Sequence, residues 1–158
     1  MRGGIHTYMT IIGKVSISDD GEGNIDGVYL PNSNLPCREC EVSEIVNEAA
    51  RQIDEFLTGK RTAFDLPLKA EGTDFQKSVW DELRRIPYGE TVSYKDVAER
   101  IGRPNSYRAV GGACNANPLP LLIPCHRVVA VDGIGGFGGG LALKRKLMEI
   151  EGIKCRQM

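Results

Sequence analysis

Apolar and β-branched residues concentrated in the first thirty positions predict strands. Residues 5–18, rich in Ile, Val, Thr and Tyr, predict one strand. The polar and glycine-containing stretch 19–24 predicts a turn, and residues 25–30 predict a second strand. Two strands joined by such a turn are typical of a β-hairpin.

A helical spacing of apolar positions follows, after a loop predicted over residues 31–36. The spacing begins at Val42 and ends at Gly59, a residue that commonly terminates helices. Residues 63–68 predict a further edge strand, because Pro67 lacks the N–H that an inner strand needs. Residues 1–72 are therefore predicted to form a small α/β domain with an antiparallel sheet and a helix.

Helical patterns continue through the second part of the chain. Thr73 and Gln76 match a capping box that starts a helix, and Pro87 stops it. Ser93 starts a short helix that Gly102 closes. Two more helices are predicted, over 106–116 and 141–151. The helix that starts at Ser93 and the helix over 106–116 are joined by a brief turn, which indicates a helix-turn-helix. Residues 73–158 are therefore predicted to form a mostly helical domain.

Composition bounds the class of protein. The chain has 158 residues, of which 41% are hydrophobic, as in ordinary globular domains. No apolar run approaches the ~20 residues of a membrane span, and the N-terminus lacks the pattern of a secretory signal. Five cysteines without a disulfide-scaffold spacing indicate reduced thiols, so a cytoplasmic, intracellular protein is expected.

Charge is distributed unevenly, although the net charge is only -1. Residues 1–72 carry 7 Lys and Arg against 12 Asp and Glu, whereas residues 73–158 carry 13 against 9. The positive excess in the second part favours an anionic partner such as DNA. The alternative is a chance asymmetry.

The stretch 122–129 places a cysteine between Pro124 and His126 within an apolar run. A thiol with an ordinary pKa near ~8.5 is mostly protonated at neutral pH, and an imidazole that takes the proton makes it a nucleophile. On an extended segment Cys125 and His126 would point to opposite sides, so no direct ion pair is expected. The alternative is an inert buried cysteine, which leaves the polar residues after it unexplained.

The segment Pro124-Cys125-His126-Arg127-Val128 resembles the active-site signature of the O6-alkylguanine-DNA alkyltransferases. Further matching segments are Arg108-Ala109-Val110-Gly111-Gly112-Ala113, Asn117-Pro118, Gly139-Gly140-Leu141 and Glu151-Gly152. The likeness is highly specific over the C-terminal half and loose before it. It implies a ribonuclease-H-like first domain and a winged-helix-like second domain with a helix-turn-helix.

The same resemblance implies DNA repair by direct reversal. The protein would move an alkyl group from O6-alkylguanine, and also from O4-alkylthymine, onto Cys125. The thioether product is stable, so each molecule would act once. The expected partner is double-stranded DNA, and the expected protein is a monomer without a cofactor.

Individual roles around the thiol are also implied by the resemblance. Glu151 orients His126, which takes the thiol proton of Cys125 through a water molecule. Tyr94 donates a proton or hydrogen bond to guanine N3, and Asn117 braces the active-site segment. The other predicted pocket groups are the carbonyls of Cys125 and Val128, which accept from the guanine amino group, and a glycine-rich wall containing Phe137, Gly138 and Gly139. Relatives commonly carry tyrosine at position 137 and often serine at position 138.

Small residues recur on one face of the helix predicted over 106–116. Such a face permits close approach, either to another helix or to a DNA groove. Because Ala109, Gly112 and Ala113 offer few groups that read major-groove edges, minor-groove docking with little sequence preference is predicted. By resemblance, Arg108 enters the duplex in place of a flipped nucleotide, and a solvated arginine or a phosphate contact is the alternative. Tyr107 and Arg127 complete the predicted DNA interface.

The other cysteines do not make a clear metal site. Cys37 and Cys40 form half of a zinc site at most, and no complete set of four ligands is evident beside them. No metal is therefore predicted. Cys114 and Cys155 are interpreted as packing or surface thiols.

Three other functions fit parts of the sequence. A non-catalytic lesion-binding module would have this fold but typically carries tryptophan in place of the reactive cysteine. A helix-turn-helix transcription factor should show base-reading side chains and a dimerisation element. A cysteine hydrolase would need an oxyanion hole, and it leaves the basic second part of the chain unexplained.

Overall fold

A computed structural model describes residues 3–31, 33, 35 and 43–153 of the protein. It is an α/β structure that divides into two compact units between Glu71 and Gly72. Within the described residues no helix is both long and apolar enough to cross a bilayer. Cys37, Cys40, Val42 and Cys155, as well as parts of the loop predicted over 31–36, lie outside the described residues.

The first unit contains a three-stranded antiparallel sheet in the order β1-β2-β3. Its strands are β1 (Ile5–Thr10), β2 (Gly13–Asp19) and β3 (Ile25–Tyr29). The single strand predicted over 5–18 is wrong, because the chain turns back between Thr10 and Gly13, which pair with each other. Gly13 has a φ of +107°, which favours glycine, but the two residues of the turn are isoleucines and carry no turn signal.

One helix, α1 (Glu44–Leu57), packs on β1 and β2. The Ser43 side chain caps its first turn, and Gly59 follows its end with a φ of +77°. The edge strand predicted over 63–68 is wrong. This segment makes only one parallel bridge to the sheet, in which the Ile25 N–H donates to the Pro67 carbonyl at 2.8 Å.

Within the described residues 72–153, the second unit contains four α-helices. They are α2 (Asp74–Leu83), α3 (Tyr94–Arg100), α4 (Tyr107–Asn115) and α5 (Leu141–Ile150). The capping box predicted at Thr73 and the helix start predicted at Ser93 are both confirmed, and Ser93 forms a capping box with Asp96 as well. The Trp80 indole N–H donates to the Ala113 carbonyl at 2.8 Å and so ties α2 to α4 in the interior.

A short parallel ladder joins β4 (Val92–Ser93) to β5 (Val128–Val129). It sets the start of α3 beside the segment that follows Cys125. Residues Cys125–Arg127 form a 3₁₀ turn, in which the Arg127 N–H donates to the Pro124 carbonyl at 3.1 Å. The extended conformation assumed for this segment from its apolar residues is therefore wrong.

Gly102 and Gly133 provide a matched test of the connection between α3 and α4. Gly102 has a φ of +78°, whereas Gly133 does not lie in the left-handed region, and an added Cβ meets nothing at either position. We expect Gly102→Ala to lower the free energy of unfolding by about 1 kcal/mol or more, because alanine is strained there. Gly133→Ala should be neutral or slightly stabilising in urea denaturation, and equal losses in the two variants would contradict this explanation.

Candidate active site around Cys125

A cavity of about 250 Å³ lies in the second unit, and Cys125 forms part of its wall. The thiol residue is only 6% exposed, so the cavity is its access to solvent. Helices α3 and α4, the 3₁₀ turn and the glycine-rich loop before α5 all contribute to the lining. The lining residues are Tyr94, Gly111, Cys114, Asn115, Cys125, Gly136, Phe137 and Gly138.

Burial raises the pKa of the Cys125 thiol above its usual value, since a thiolate is poorly solvated there. A hydrogen bond from Asn117 and the positive charge of Lys144 act in the opposite direction, but burial prevails. The resting side chain is therefore the neutral thiol at neutral pH. A base must take its proton before the sulfur can act as a strong nucleophile.

His126 is the adjacent candidate for that base. Its ring is fully buried, and its Nε2 is hydrogen-bonded to Oε2 of Glu151. Burial lowers the pKa of His126 below the ordinary 6.5, although the neighbouring Glu151 carboxylate raises it in part. The imidazole is thus neutral at pH 7. Because an ionised carboxylate only accepts, Nε2 carries the hydrogen and Nδ1 is the basic nitrogen.

Glu151 is ionised despite its burial. Burial by itself raises the pKa of this carboxyl. Hydrogen bonds from His126 and Arg127 lower the pKa by more than burial raises it, so the pKa lies below its usual value. The Arg127 Nε donates to Glu151 Oε1 at 2.8 Å, and the Gly89 N–H donates to the same oxygen at 2.8 Å. The carboxylate is therefore fixed by three donors, and it orients the imidazole as a third group orients a catalytic base.

Arg127 is an interior residue, so the DNA contact predicted for it is wrong. Its side chain is 8% exposed, its Nη1 donates to the Ile86 carbonyl at 2.8 Å, and the Tyr88 ring lies against the guanidinium. Arg127 lies in the interior because the buried Glu151 carboxylate is stabilised there by a positively charged partner. A positively charged residue in a basic part of the chain is therefore not necessarily at the surface.

Asn117 holds the chain on the approach to Cys125. Its amide nitrogen donates to the Ile123 carbonyl at 2.9 Å, and its amide oxygen accepts from the Leu119 N–H at 2.9 Å. These bonds close the loop between α4 and the 3₁₀ turn. Because the same side chain also lowers the pKa of the Cys125 thiol, it both braces the segment and favours ionisation.

Tyr94 borders the cavity and contacts the glycine-rich loop. Its hydroxyl accepts from the Gly136 N–H at 3.1 Å, and burial raises the pKa of this phenol. The tyrosine therefore keeps its proton and can donate it. An added Cβ at Gly135 would lie 2.7 Å from the Tyr94 hydroxyl, so only glycine permits this approach of the loop.

The exposed face of α4 differs in part from the predicted one. Arg108, Ala109 and Gly112 are exposed, and Tyr107 is 47% exposed. Ala113 is buried at 2% exposure because this side of the helix packs toward α2. The DNA contact predicted for Ala113 is therefore wrong, and the alternative of tight helix packing applies to that residue.

The predicted pocket wall also changes in part. Phe137 and Gly138 line the cavity, whereas Gly139 and Val128 do not. Val128 is fully buried, and its carbonyl accepts from the Lys144 ammonium at 2.6 Å, so its predicted role of binding the guanine amino group is not supported.

The sequence reasoning missed Lys144, which is fully buried beside the cavity. One signal could have revealed it. Lys144, Leu147, Met148 and Glu151 follow the spacing of the apolar face of α5, so two charged residues stand in positions that a core normally gives to hydrocarbon.

Within residues 3–31, 33, 35 and 43–153 no group of three or more potential metal ligands is found. The cysteine pair considered for zinc falls outside those ranges.

A cavity-lining cysteine, followed in sequence by a buried histidine that a carboxylate orients, is the arrangement of a nucleophile with a base and an orienting group. Residues 74–153 match the family described as "6-O-methylguanine DNA methyltransferase, DNA binding domain". The methylated-DNA–protein-cysteine methyltransferase of Methanosarcina barkeri is 50% identical over 118 residues, which are 74% of this chain and 75% of that protein. The Methanosarcina acetivorans enzyme of the same name is 40% identical over 145 residues, which are 89% and 93% of the two chains.

Solved structures agree with these sequence matches. A crystal structure of Mycobacterium tuberculosis OGT in complex with DNA superposes with a TM-score of 0.88 at 36% identity, covering 94% of this chain and 92% of that one. The chain therefore belongs to the methylated-DNA–protein-cysteine methyltransferase family of DNA-repair enzymes. The resemblance noted in the sequence is confirmed.

The interior position of Arg127 generates a stability prediction. Removing one partner of a buried charge pair typically costs ~3–5 kcal/mol, so Arg127→Met should lower the free energy of unfolding by about that amount. Arg100→Met is the matched control, since Arg100 is half-exposed and lies 4.0 Å from Glu82, a geometry worth ~0–1 kcal/mol. Urea denaturation compares the two variants. An unchanged stability together with weakened DNA binding would restore the surface role for Arg127.

Proposed function

We propose that this protein repairs DNA by a single transfer of an alkyl group from guanine O6, and also from thymine O4, to the sulfur of Cys125. The observation that carries the proposal is the buried pair of His126 and Glu151 beside a thiol that opens into a cavity of about 250 Å³. The family relationship supports the same chemistry.

The reaction begins with the thiol proton. His126 Nδ1 takes it through a bridging water, and the resulting imidazolium is stabilised by the Glu151 carboxylate. The sulfur then attacks the alkyl carbon, a C–S bond forms, and the C–O6 bond breaks with its electron pair leaving on guanine. Tyr94 donates its hydroxyl proton to guanine N3, and the phenolate recovers a proton from solvent, to which His126 releases its own.

The product state explains why one molecule acts once. A thioether carbon has no activated leaving group, so neither water nor the imidazole regenerates the thiol. The protein is thus consumed by the repair, and it requires no cofactor for either step.

DNA binding is assigned to the exposed face of α4. Ala109 and Gly112 permit close approach to the minor groove, and Tyr107 and Arg108 border that face. Arg108 enters the duplex when the damaged nucleotide flips into the cavity, because O6 of a stacked guanine is not accessible to a thiol within a pocket. The Mycobacterium tuberculosis OGT complex with DNA supports DNA as the partner.

We also propose a fold for each unit and an oligomeric state. The first unit is ribonuclease-H-like and the second is winged-helix-like, with α3 and α4 as its helix-turn-helix. The protein acts as a monomer inside the cell where chromosomal DNA is accessible, associated with the nucleoid in the cytoplasm or within the nucleus, depending on the source.

Mass spectrometry tests the proposal directly. After incubation with duplex DNA containing O6-methylguanine, the intact protein should gain one methyl group, and peptide analysis should locate it on Cys125. Cys125→Ala should gain none, because the acceptor is absent. Cys114→Ala, which removes the other cavity thiol, should still be alkylated on Cys125.

Other outcomes of that experiment identify the rival functions. Unmodified protein bound tightly to lesion DNA would indicate a binding module, and selective binding to an undamaged sequence would indicate a regulator. An adduct on Cys114 would reject the assignment of the acceptor.

Arg108 offers a separate test of nucleotide flipping. Arg108→Ala should slow transfer from duplex DNA by at least about tenfold, because an unstacked nucleotide costs a few kcal/mol that the arginine offsets in part. Transfer from free O6-benzylguanine base, which needs no flipping, should change little. Arg84→Ala removes the same charge from an exposed position and is the control. Equal slowing on both substrates would exclude the flipping role.

A further inference from the structure

Lys144 has an unusual environment for a lysine. The residue is fully buried on α5, and its Nζ donates to the carbonyls of Val128 and Ile134 at 2.6 Å each and of Gly136 at 3.0 Å. An ammonium group has three donors, so the three carbonyls satisfy it completely. A neutral amine would have only two, and one of these carbonyls would lose its donor.

These three carbonyls belong to two different walls of the site. Val128 directly follows the 3₁₀ turn that carries Cys125, whereas Ile134 and Gly136 lead into the glycine-rich loop. One side chain therefore sets the spacing between the nucleophile segment and the loop that closes the cavity. Hydrogen bonds from one rigidly held donor group are an effective way to fix such loops.

The same contact reaches the proton donor of the proposed reaction. Gly136, whose carbonyl binds Lys144, also donates its N–H to the Tyr94 hydroxyl at 3.1 Å. The Lys144 Nζ itself lies 6.0 Å from the centroid of the Tyr94 ring. Displacement of the ammonium would consequently shift the loop residue that positions the phenol.

Charge couples Lys144 to the nucleophile. Its positive charge lowers the pKa of the Cys125 thiol, and a Cys125 thiolate in turn raises the pKa of Lys144. Burial prevails for the lysine and lowers its pKa to about 8. Lys144 also lowers the pKa of His126 and of Cys114 on α4, and its Nζ faces the ring of Tyr94 on α3.

We propose that Lys144 is a positioning residue for alkyl transfer, which favours the thiolate of Cys125 by its charge and aligns Tyr94 through the Gly136 backbone. This inference rests on the proposed function. A purely structural lysine would be replaceable by a hydrophobic residue with an effect on stability alone, since buried ionic groups are often not needed for folding.

The experiment compares Lys144→Met, Lys144→Gln and the control Lys146→Met, which removes an exposed lysine from the same helix. The first readout is the rate of iodoacetamide labelling of Cys125 between pH 6 and pH 10, followed by peptide mass. The second is the rate of methyl transfer from O6-methylguanine duplex DNA, and the third is the Kd for that DNA. Glutamine retains an amide donor without the charge, so the pair of variants separates charge from hydrogen bonding.

We expect both Lys144 variants to raise the apparent pKa of Cys125 by about one unit, which lowers the thiolate fraction at pH 7 about tenfold. Methyl transfer should slow by at least the same factor, while the Kd for DNA stays within about twofold. The ratio of the wild-type labelling rate to that of Lys144→Gln should shrink above pH 8, because the wild-type lysine then loses its charge. Lys146→Met should resemble the wild type.

An unchanged labelling profile in the Lys144 variants would overturn the inference, as would slower transfer caused only by weaker DNA binding. If neither variant folds, iodoacetamide labelling of the wild type decides alone. Its rate should rise less steeply with pH above pH 8, where Lys144 loses its charge, and a rate that follows a single ionisation of Cys125 would reject the coupling. Iodoacetamide labelling needs no DNA, so a failure of the proposed repair activity is distinguishable from a failure of this inference.

Discussion

The carboxylate of Glu151 lies in the interior and must find its partners there. A buried charge without hydrogen bonds costs several kcal/mol, so His126, Arg127 and the Gly89 N–H all converge on it. Two of these partners are consecutive in sequence. In an extended chain they would point to opposite sides, whereas a 3₁₀ turn lets both reach one carboxylate. The same turn aims Cys125 at the cavity, so the position of the nucleophile depends on this buried anion.

Helix α5 carries two buried residues of opposite charge, Lys144 and Glu151, which lie two turns apart. Glu151 at its end faces the imidazole, and Lys144 faces the segment after the thiol. In the proposed reaction, a neutral thiol and a neutral imidazole become a thiolate and an imidazolium. Each new charge would then have a fixed partner of opposite sign on the same helix. Burial disfavours the thiolate of Cys125 and the imidazolium of His126 in the resting protein. Lys144 and Glu151 therefore stabilise mainly the charged state that forms during the reaction.

Local chemistry made much of the second unit predictable. Helix caps involve residues only a few positions apart, so a short sequence pattern is enough to predict them. This applies to the capping boxes at Thr73 and Ser93 and to the glycine after α3. The first unit was less predictable. Alternating residues continue through the turn between β1 and β2, which has no residue of the usual turn types, and the segment 63–68 reaches the sheet by one bridge instead of a ladder.

By itself, the sequence determined the candidates for the reacting groups: a cysteine followed by a histidine, and a glutamate at the end of the last helix. It did so because these residues belong to a specific signature. Only the tertiary structure decided that Arg127 and Ala113 face inward and that Lys144 bridges two walls of the cavity. Periodicity indicates which side of an element is apolar, but it does not indicate which buried charge lies opposite. That pairing depends on contacts between residues distant in the chain, and these exist only once the core has formed.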